Sequence, residues 1–322
     1  MHDLPPECRA ALDGLRGELP SGALVRATDR LSQRYRTGDV PASPHLHDDA
    51  AAAAYAAYRM PATFAAVSAA LAQVRGVVAP RTLLDLGGGT GSALWAAALT
   101  WPSLAAAVVV EGALPVLELG RRLAAASTTG TVRDAEWRSD DVSSAEIDAD
   151  VVTVSYVLGE LAERPRVDLI RRLAASRAVV VVVEPGTPAG YRRVLAARDV
   201  LIGSGRSVLA PCPHDLRCPM SESDWCHMAV RLERSRVHRV AKGVDLGHED
   251  EKFSYVVAGS APAGRPAGRV VRHPLIRKGL VELQVCAERP ALTTVPVPKS
   301  RGAEYRAARD VRWGDPWPLS SA

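Results

Sequence analysis

The stretch LLDLGGGTGSALWAA, residues 83–97, constrains the fold of this chain more than any other. An apolar run ends in glycines at 87, 88, 89 and 91 and passes at once into small and apolar residues suited to a helix. Gly87, Gly89 and Gly91 allow a tight turn and let a ligand approach the backbone without a side chain in the way. A strand that feeds directly into a helix belongs to a parallel sheet, and the next segments repeat the unit. AAVVVEG, DVVTVSYVLGEL and AVVVVVEPG are Val-rich runs without alternation, separated by helical stretches. Such runs suit strands buried on both faces. The expectation is a doubly wound α/β domain over residues 81–205.

The rest of the chain is read around that domain. Residues 1–80 are Ala-rich with helical spacing, as in AAAAYAAYRMPATFAAVSAALAQV, and predict a helical N-terminal region in which Pro61 ends one helix or opens the next. In residues 206–322 the pattern becomes irregular through a cysteine segment, after which KFSYVVAGS and GLVELQVCAE predict two further strands. With 322 residues, 47% of them hydrophobic, the chain can bury a sizeable core. No apolar run has the length of a membrane span and the start lacks the order of a signal peptide, so the expected location is the cytoplasm, with no membrane partner. Charge is uneven. Residues 201–322 hold 19 Lys and Arg against 13 Asp and Glu, which makes this third the expected docking region for a polyanion.

Glu111 closes the second strand about twenty residues past the loop, where an acid can accept hydrogen bonds from ribose hydroxyls. A nicotinamide dinucleotide or S-adenosylmethionine could use this arrangement. The third glycine comes one residue early for the dinucleotide pattern, and Asp85 before the loop with Asp140 and Asp141 after the third strand follow the order of class I methyltransferases. The resemblance to that Rossmann-like fold spans roughly residues 80–195. It implies S-adenosylmethionine as cofactor, held by Asp85, Gly87, Gly89, Gly91, Glu111 and Asp141. The fourth strand ends in SYVLGEL, without the motif of amino-methylating enzymes, and no cysteine stands where a cytosine-C5 nucleophile would. No catalytic residue is assigned. Tyr156, Glu160 and Glu184 are expected at the strand ends that line the binding side, in roles as readily structural as chemical.

Cys212, Cys218, Cys226 and Cys286 are a candidate metal set in a reducing compartment. Their spacing is not the repeated C-x2-C of zinc ribbons, so zinc and a four-iron, four-sulfur cluster both stay open, with His214 and His227 as alternative ligands. In HMAVRLERSRVHRVAKG, Arg231, Arg234 and His238 recur at helical spacing and are the expected RNA-contacting face. Taken together, YAAYRMPAT, LDLGGGTGSALWAA, VEPGTPAGY, CPHDLRCPM, DWCH, HEDEKFSYVV, GLVELQVC and YRAARDVRWGD resemble the small-ribosomal-subunit methyltransferase-like family, the bacterial relatives of mitochondrial methyltransferase-like protein seventeen. That resemblance implies a 4Fe-4S cluster on the four cysteines, in a cysteine-rich C-terminal region. It also implies a role in maturation of the small ribosomal subunit, acting on or binding 16S rRNA as a monomer. It leaves two forms of the protein, an rRNA methyltransferase or a non-catalytic iron–sulfur assembly factor.

Overall fold

The computed structural model describes residues 3–18, 48–233, 247–260 and 264–318. Helix α1 spans Pro6–Glu18 and α2 spans Asp49–Ala72. Asp48 caps α2, its Oδ1 accepting from Ala51 N at 2.7 Å. The expectation for Pro61 is corrected, because this proline lies inside one continuous helix. It removes a single backbone donor, whereas the alanines around it have the highest helix propensity and Met60, Phe64, Val67 and Leu71 are fully packed.

The main sheet has eight strands. β1 (Thr82–Leu86), β2 (Ala106–Val110), β3 (Glu136–Arg138), β4 (Val151–Ser155) and β5 (Val179–Pro185) run parallel in the order β3-β2-β1-β4-β5. β8 (His248–Gly259) lies antiparallel between β5 and β6 (Ser207–Ala210), and β7 (Met228–Glu233) pairs with its first half. The parallel part is the Rossmann-like, doubly wound sheet expected from the sequence, and the reversed direction of β8, which that reading did not include, makes the whole sheet mixed. The crossovers are α3 (Ser92–Thr100), α4 (Leu114–Ala125) with the short α5 (Gly130–Arg133), α6 (Glu163–Ala175) and α7 (Pro188–Gly203).

Helices cover both faces, which is why the central strands need no polar side. Phe64, Leu71, Trp95 and Leu123 pack with α1 to α4 on one face, and Leu158, Leu169, Leu173 and Leu201 on the other. A second sheet follows, made of β9 (Gly268–Val270), β10 (Leu275–Arg277), β11 (Leu280–Ala287) and β12 (Leu292–Pro298), then a 3-10 turn at Lys299–Arg301 and α8 (Ala303–Asp310). Its own small core joins Val281, Leu283, Val285, Val297, Ala308 and Trp317.

The helical face expected for Arg231, Arg234 and His238 is corrected in part. Arg231 lies on β7, where alternate residues point inward as Val230 and Leu232 do, and period two prevails because β8 offers an open edge. Its guanidinium is held by both carboxylate oxygens of Asp250, at 2.8 and 2.9 Å. Arg234 and His238 lie outside the described residues.

Candidate functional site

β1 is flanked by β2 on one side and β4 on the other, so the chain reverses its direction of winding there and opens a crevice at the carboxyl ends of the strands. The glycine loop sits in that crevice. Gly87, Gly89 and Gly91 have φ of 65°, 57° and 87°, a region that side chains other than glycine rarely adopt. A Cβ on Gly87 would stand 2.4 Å from Val157 Cγ2, and one on Gly89 3.1 Å from the Tyr55 hydroxyl. The loop is therefore clasped by the turn after β4 and by α2.

Two acids serve the loop. Asp85 is fully buried beneath it. Its Oδ1 accepts from Thr153 Oγ1 at 2.7 Å, while Oδ2 makes no well-formed hydrogen bond, the backbone N–H of Leu94 acting on this carboxyl only weakly. Burial pushes its carboxyl up to about 7. Glu111 accepts from Gly89 N at 3.0 Å and from Ala113 N at 2.8 Å, so it braces the loop, and burial raises its pKa against these bonds. Both oxygens keep a lone pair for a further donor. Asp140 and Asp141 lie on an exposed turn, where Asp141 accepts from Ser143 N and Asp140 from Asp141 N, each at 2.7 Å.

The turn after β4 carries the remaining candidates. Tyr156, at φ 63°, is the one non-glycine residue with positive φ among the described residues. Its hydroxyl donates to Glu251 Oε1 at 2.8 Å, and Arg59 of α2 reaches the same oxygen at 3.5 Å while lying 4.8 Å from the Tyr156 ring centre. Glu184 is fully buried and engaged by Leu158 N at 2.9 Å and Arg193 Nε at 2.6 Å, which gives it a bracing role. Glu160, at the end of the same turn, is exposed. Its carboxyl is pushed up to about 7 by desolvation and then by the nearby Glu111 and Glu184.

The second feature is a cavity that brings together Cys212, Cys218, Cys226 and Cys286. The first two follow β6, the third precedes β7, and Cys286 arrives on β11, so this cavity lies where the two sheets meet. Cys218 Sγ is 3.3 Å from the Tyr191 hydroxyl, and Cys286 Sγ is 3.7 Å from His214 Nε2. His214 is thus a neighbour of the thiols, and His227, which also lines the cavity, stacks on Trp225 at 5.4 Å and meets Trp313 edge-on at 4.6 Å between ring centres. Among the described residues no group of three or more His, Cys, Asp or Glu side chains is arranged to hold a metal ion.

Two arginines that the sequence reading passed over also line this cavity, Arg198 and Arg269, each 3% exposed. Arg198 donates to His214 O at 3.0 Å and Leu216 O at 2.7 Å, and its one carboxylate neighbour, Asp199, is largely in solvent. Arg269 donates to Pro211 O, Gln73 Oε1 and Gly314 O and meets no carboxylate among the described residues. Their only sequence signal is an arginine within an apolar pattern.

Comparison with known proteins gives this geometry a family. The model of the family described as "Mitochondrial small ribosomal subunit Rsm22" matches residues 49–318. The human protein named "Ribosome assembly protein METTL17, mitochondrial" is 31% identical over 287 residues, which cover 82% of this chain and 62% of the human one. Two Rsm22-cox11 tandem proteins of Schizosaccharomyces pombe are 27% identical over 216 residues, covering 52% of this chain and 29% of each. The chain thus spans less than two thirds of the length of these relatives. Among solved structures, the magnesium protoporphyrin IX methyltransferase of Synechocystis PCC 6803 with bound S-adenosylmethionine is similar at 15% identity and a TM-score of 0.39, over 61% of this chain and 77% of that one. No described helix is long and apolar enough to cross a membrane. With the family model covering the chain from the start of α2 to past α8, and with both the glycine loop and all four cysteines inside the match, this chain belongs to the Rsm22 family.

Proposed function

We propose that this chain binds S-adenosylmethionine at the glycine loop, holds a 4Fe-4S cluster in the cysteine cavity, and serves in maturation of the small ribosomal subunit by acting on or binding 16S rRNA. The observation that carries the cofactor reading is the buried Asp85 Oδ2, without a well-formed hydrogen bond, beneath three left-handed glycines. A buried acceptor without a good donor is costly, and a bound ligand or an ordered water in the loop would satisfy it. Glu111, with lone pairs to spare, stands where a ribose would be met. When bound, S-adenosylmethionine supplies an activated methyl group. This chain's residues shape the loop, accept hydrogen bonds from the ligand and close α2 over it.

The charges around the cysteine cavity support the proposed cluster. Burial pushes the Cys286 thiol up to about 12 and raises those of Cys212 and Cys226, so as free thiols they stay neutral. Of the two buried guanidinium groups beside these neutral thiols, Arg198 has only the largely solvated Asp199 as counter-charge and Arg269 meets no carboxylate among the described residues. Four thiolates around a doubly charged cluster core would supply counter-charge, with Cys212, Cys218, Cys226 and Cys286 as ligands. In such a cluster each thiolate binds a different iron, so the sulfurs enclose a volume rather than a point. Zinc remains the alternative metal.

A non-catalytic assembly factor is the second form of this reading. It is favoured by the Arg59–Glu251–Tyr156 contact, which ties α2 across the strand ends where an acceptor would enter. The test of the cofactor site is calorimetric titration with S-adenosylmethionine on anaerobically purified protein, together with iron, sulfide and zinc analysis. About four iron and four sulfide per chain, absorption near about 400 nm, and binding that is abolished in Gly89→Val with the colour retained are expected. Unchanged affinity in that variant would refute the site, and one zinc without colour would replace the cluster.

A further inference from the structure

The second sheet carries the charge of this protein. Residues 268–312 hold ten Lys and Arg against four Asp and Glu, a net of +6, whereas the whole chain is +4. Arg269 is buried and Arg272 pairs with Asp224, but most of the other cations point outward. Among the described residues Lys278, Arg289, Lys299, Arg306 and Arg309 are exposed and make no ion pair.

The topology gathers several of them at one end of the sheet. Leu280 lies opposite Arg277 on β10 and opposite Pro298 on β12, and Lys299 N donates to Gly279 O at 2.8 Å. The Arg277–Lys278 turn and the Lys299–Arg301 turn are therefore side by side. α8 follows directly, with Arg306 and Arg309 one turn apart on its exposed side while Ala308 packs inward. Beside this end, β10 pairs among the described residues only with β11 and leaves Leu275 and Ile276 49% and 52% exposed.

We propose that this end of the second sheet, with α8, is the docking surface for RNA. Lys278, Lys299, Arg306 and Arg309 take backbone phosphates, and Leu275 and Ile276 take the apolar faces of sugars or unpaired bases. The proposal rests on the rRNA reading above and locates its contact. Unpaired surface cations serve a polyphosphate better than those already held by carboxylates, as Arg231 is by Asp250. Exposed apolar side chains on the edge strand beside the cations suit a nucleic-acid strand, which alternates charge with flat apolar surface.

The experiment measures fluorescence anisotropy of a labelled RNA hairpin with the full, metal-loaded chain over a series of salt concentrations. Two charge reversals are compared, Lys278→Glu with Lys299→Glu and Arg306→Glu with Arg309→Glu, beside a control of equal charge change, Arg133→Glu with Arg164→Glu, on exposed positions of α5 and α6 outside the second sheet. Each test pair is expected to weaken binding by roughly tenfold or more and to flatten the dependence of log Kd on log salt by about 1.5 to 2, while the control stays within about twofold. Leu275→Ser with Ile276→Ser is expected to weaken binding without changing that slope. Wild-type affinity in both test pairs overturns the proposal and leaves the rRNA reading standing. No RNA binding by the parent protein overturns both. Binding of equimolar phosphatidylserine and phosphatidylcholine vesicles in place of RNA, lost in the same variants, makes the surface a membrane contact and overturns it as well.

Discussion

Asp85 shows how much one atom can say about a site. It is buried under the glycine loop with one oxygen bonded to Thr153 and the other without a well-formed hydrogen bond. Its folded-state pKa of about 7 lies above the ordinary 3.8, so the folded protein keeps a proton that the unfolded chain releases in between. The stability this group contributes is complete below about pH 3.8 and is lost as the pH rises through about 7. Asp85→Asn never ionises and can still accept from Thr153. Without ligand it is expected to be more stable than the parent at about pH 8, by no more than about 4 kcal/mol, and nearly equal at about pH 4. Thermal melting at the two pH values checks this, and a variant less stable at both would mean that the carboxylate is already satisfied in the free protein. Affinity for S-adenosylmethionine should fall in the same variant.

Helix α7 connects the two candidate sites at the scale of an element, since Arg193 on it braces Glu184 and Arg198 faces the cysteines. Its seating on β5 depends on Gly190. A Cβ there would come within 2.0 Å of Pro185 O, and Gly190 N donates to the capping Thr187 Oγ1 at 3.1 Å. Gly190→Ala must push the helix away from the strand and is expected to cost roughly 1 to 3 kcal/mol, read as a lower urea midpoint with unchanged slope. An unchanged midpoint would show that the contact relaxes freely. The parallel strands are legible in VVTVS and VVVVVEP because strands buried on both faces read as nearly continuous apolar runs, broken here by the hydrogen-bonded Thr153 and Glu184 and by Ser155. β7 was misread as helix because MAVRLERSRV carries apolar residues compatible with either period, and only the open edge of β8 selects between them.

Across the whole molecule, the cysteine cavity fastens the second sheet to the first. Cys286 is on β11, its three counterparts come from the segment between β6 and β7, and Arg269 of β9 reaches both Pro211 and Gln73 at the end of α2. Metal binding here should therefore be coupled to the joining of the sheets. Removing the metal with a chelator is expected to lose hydrogen-exchange protection over 211–227 and 280–287 while β1, β4 and β5 keep theirs. Equal protection with and without metal would make the junction independent of it. The pattern of apolar runs and glycines by itself determined the α/β sheet, the loop and its partner Glu111, since burial on two faces and positive φ each leave a local mark in residue type. Only the tertiary structure decided that four cysteines, the last 60 residues beyond the third, meet in one cavity with Arg198 and Arg269, and that unpaired cations collect at the end of the second sheet. Those arrangements depend on distances between segments remote in the chain, which residue type and spacing do not encode.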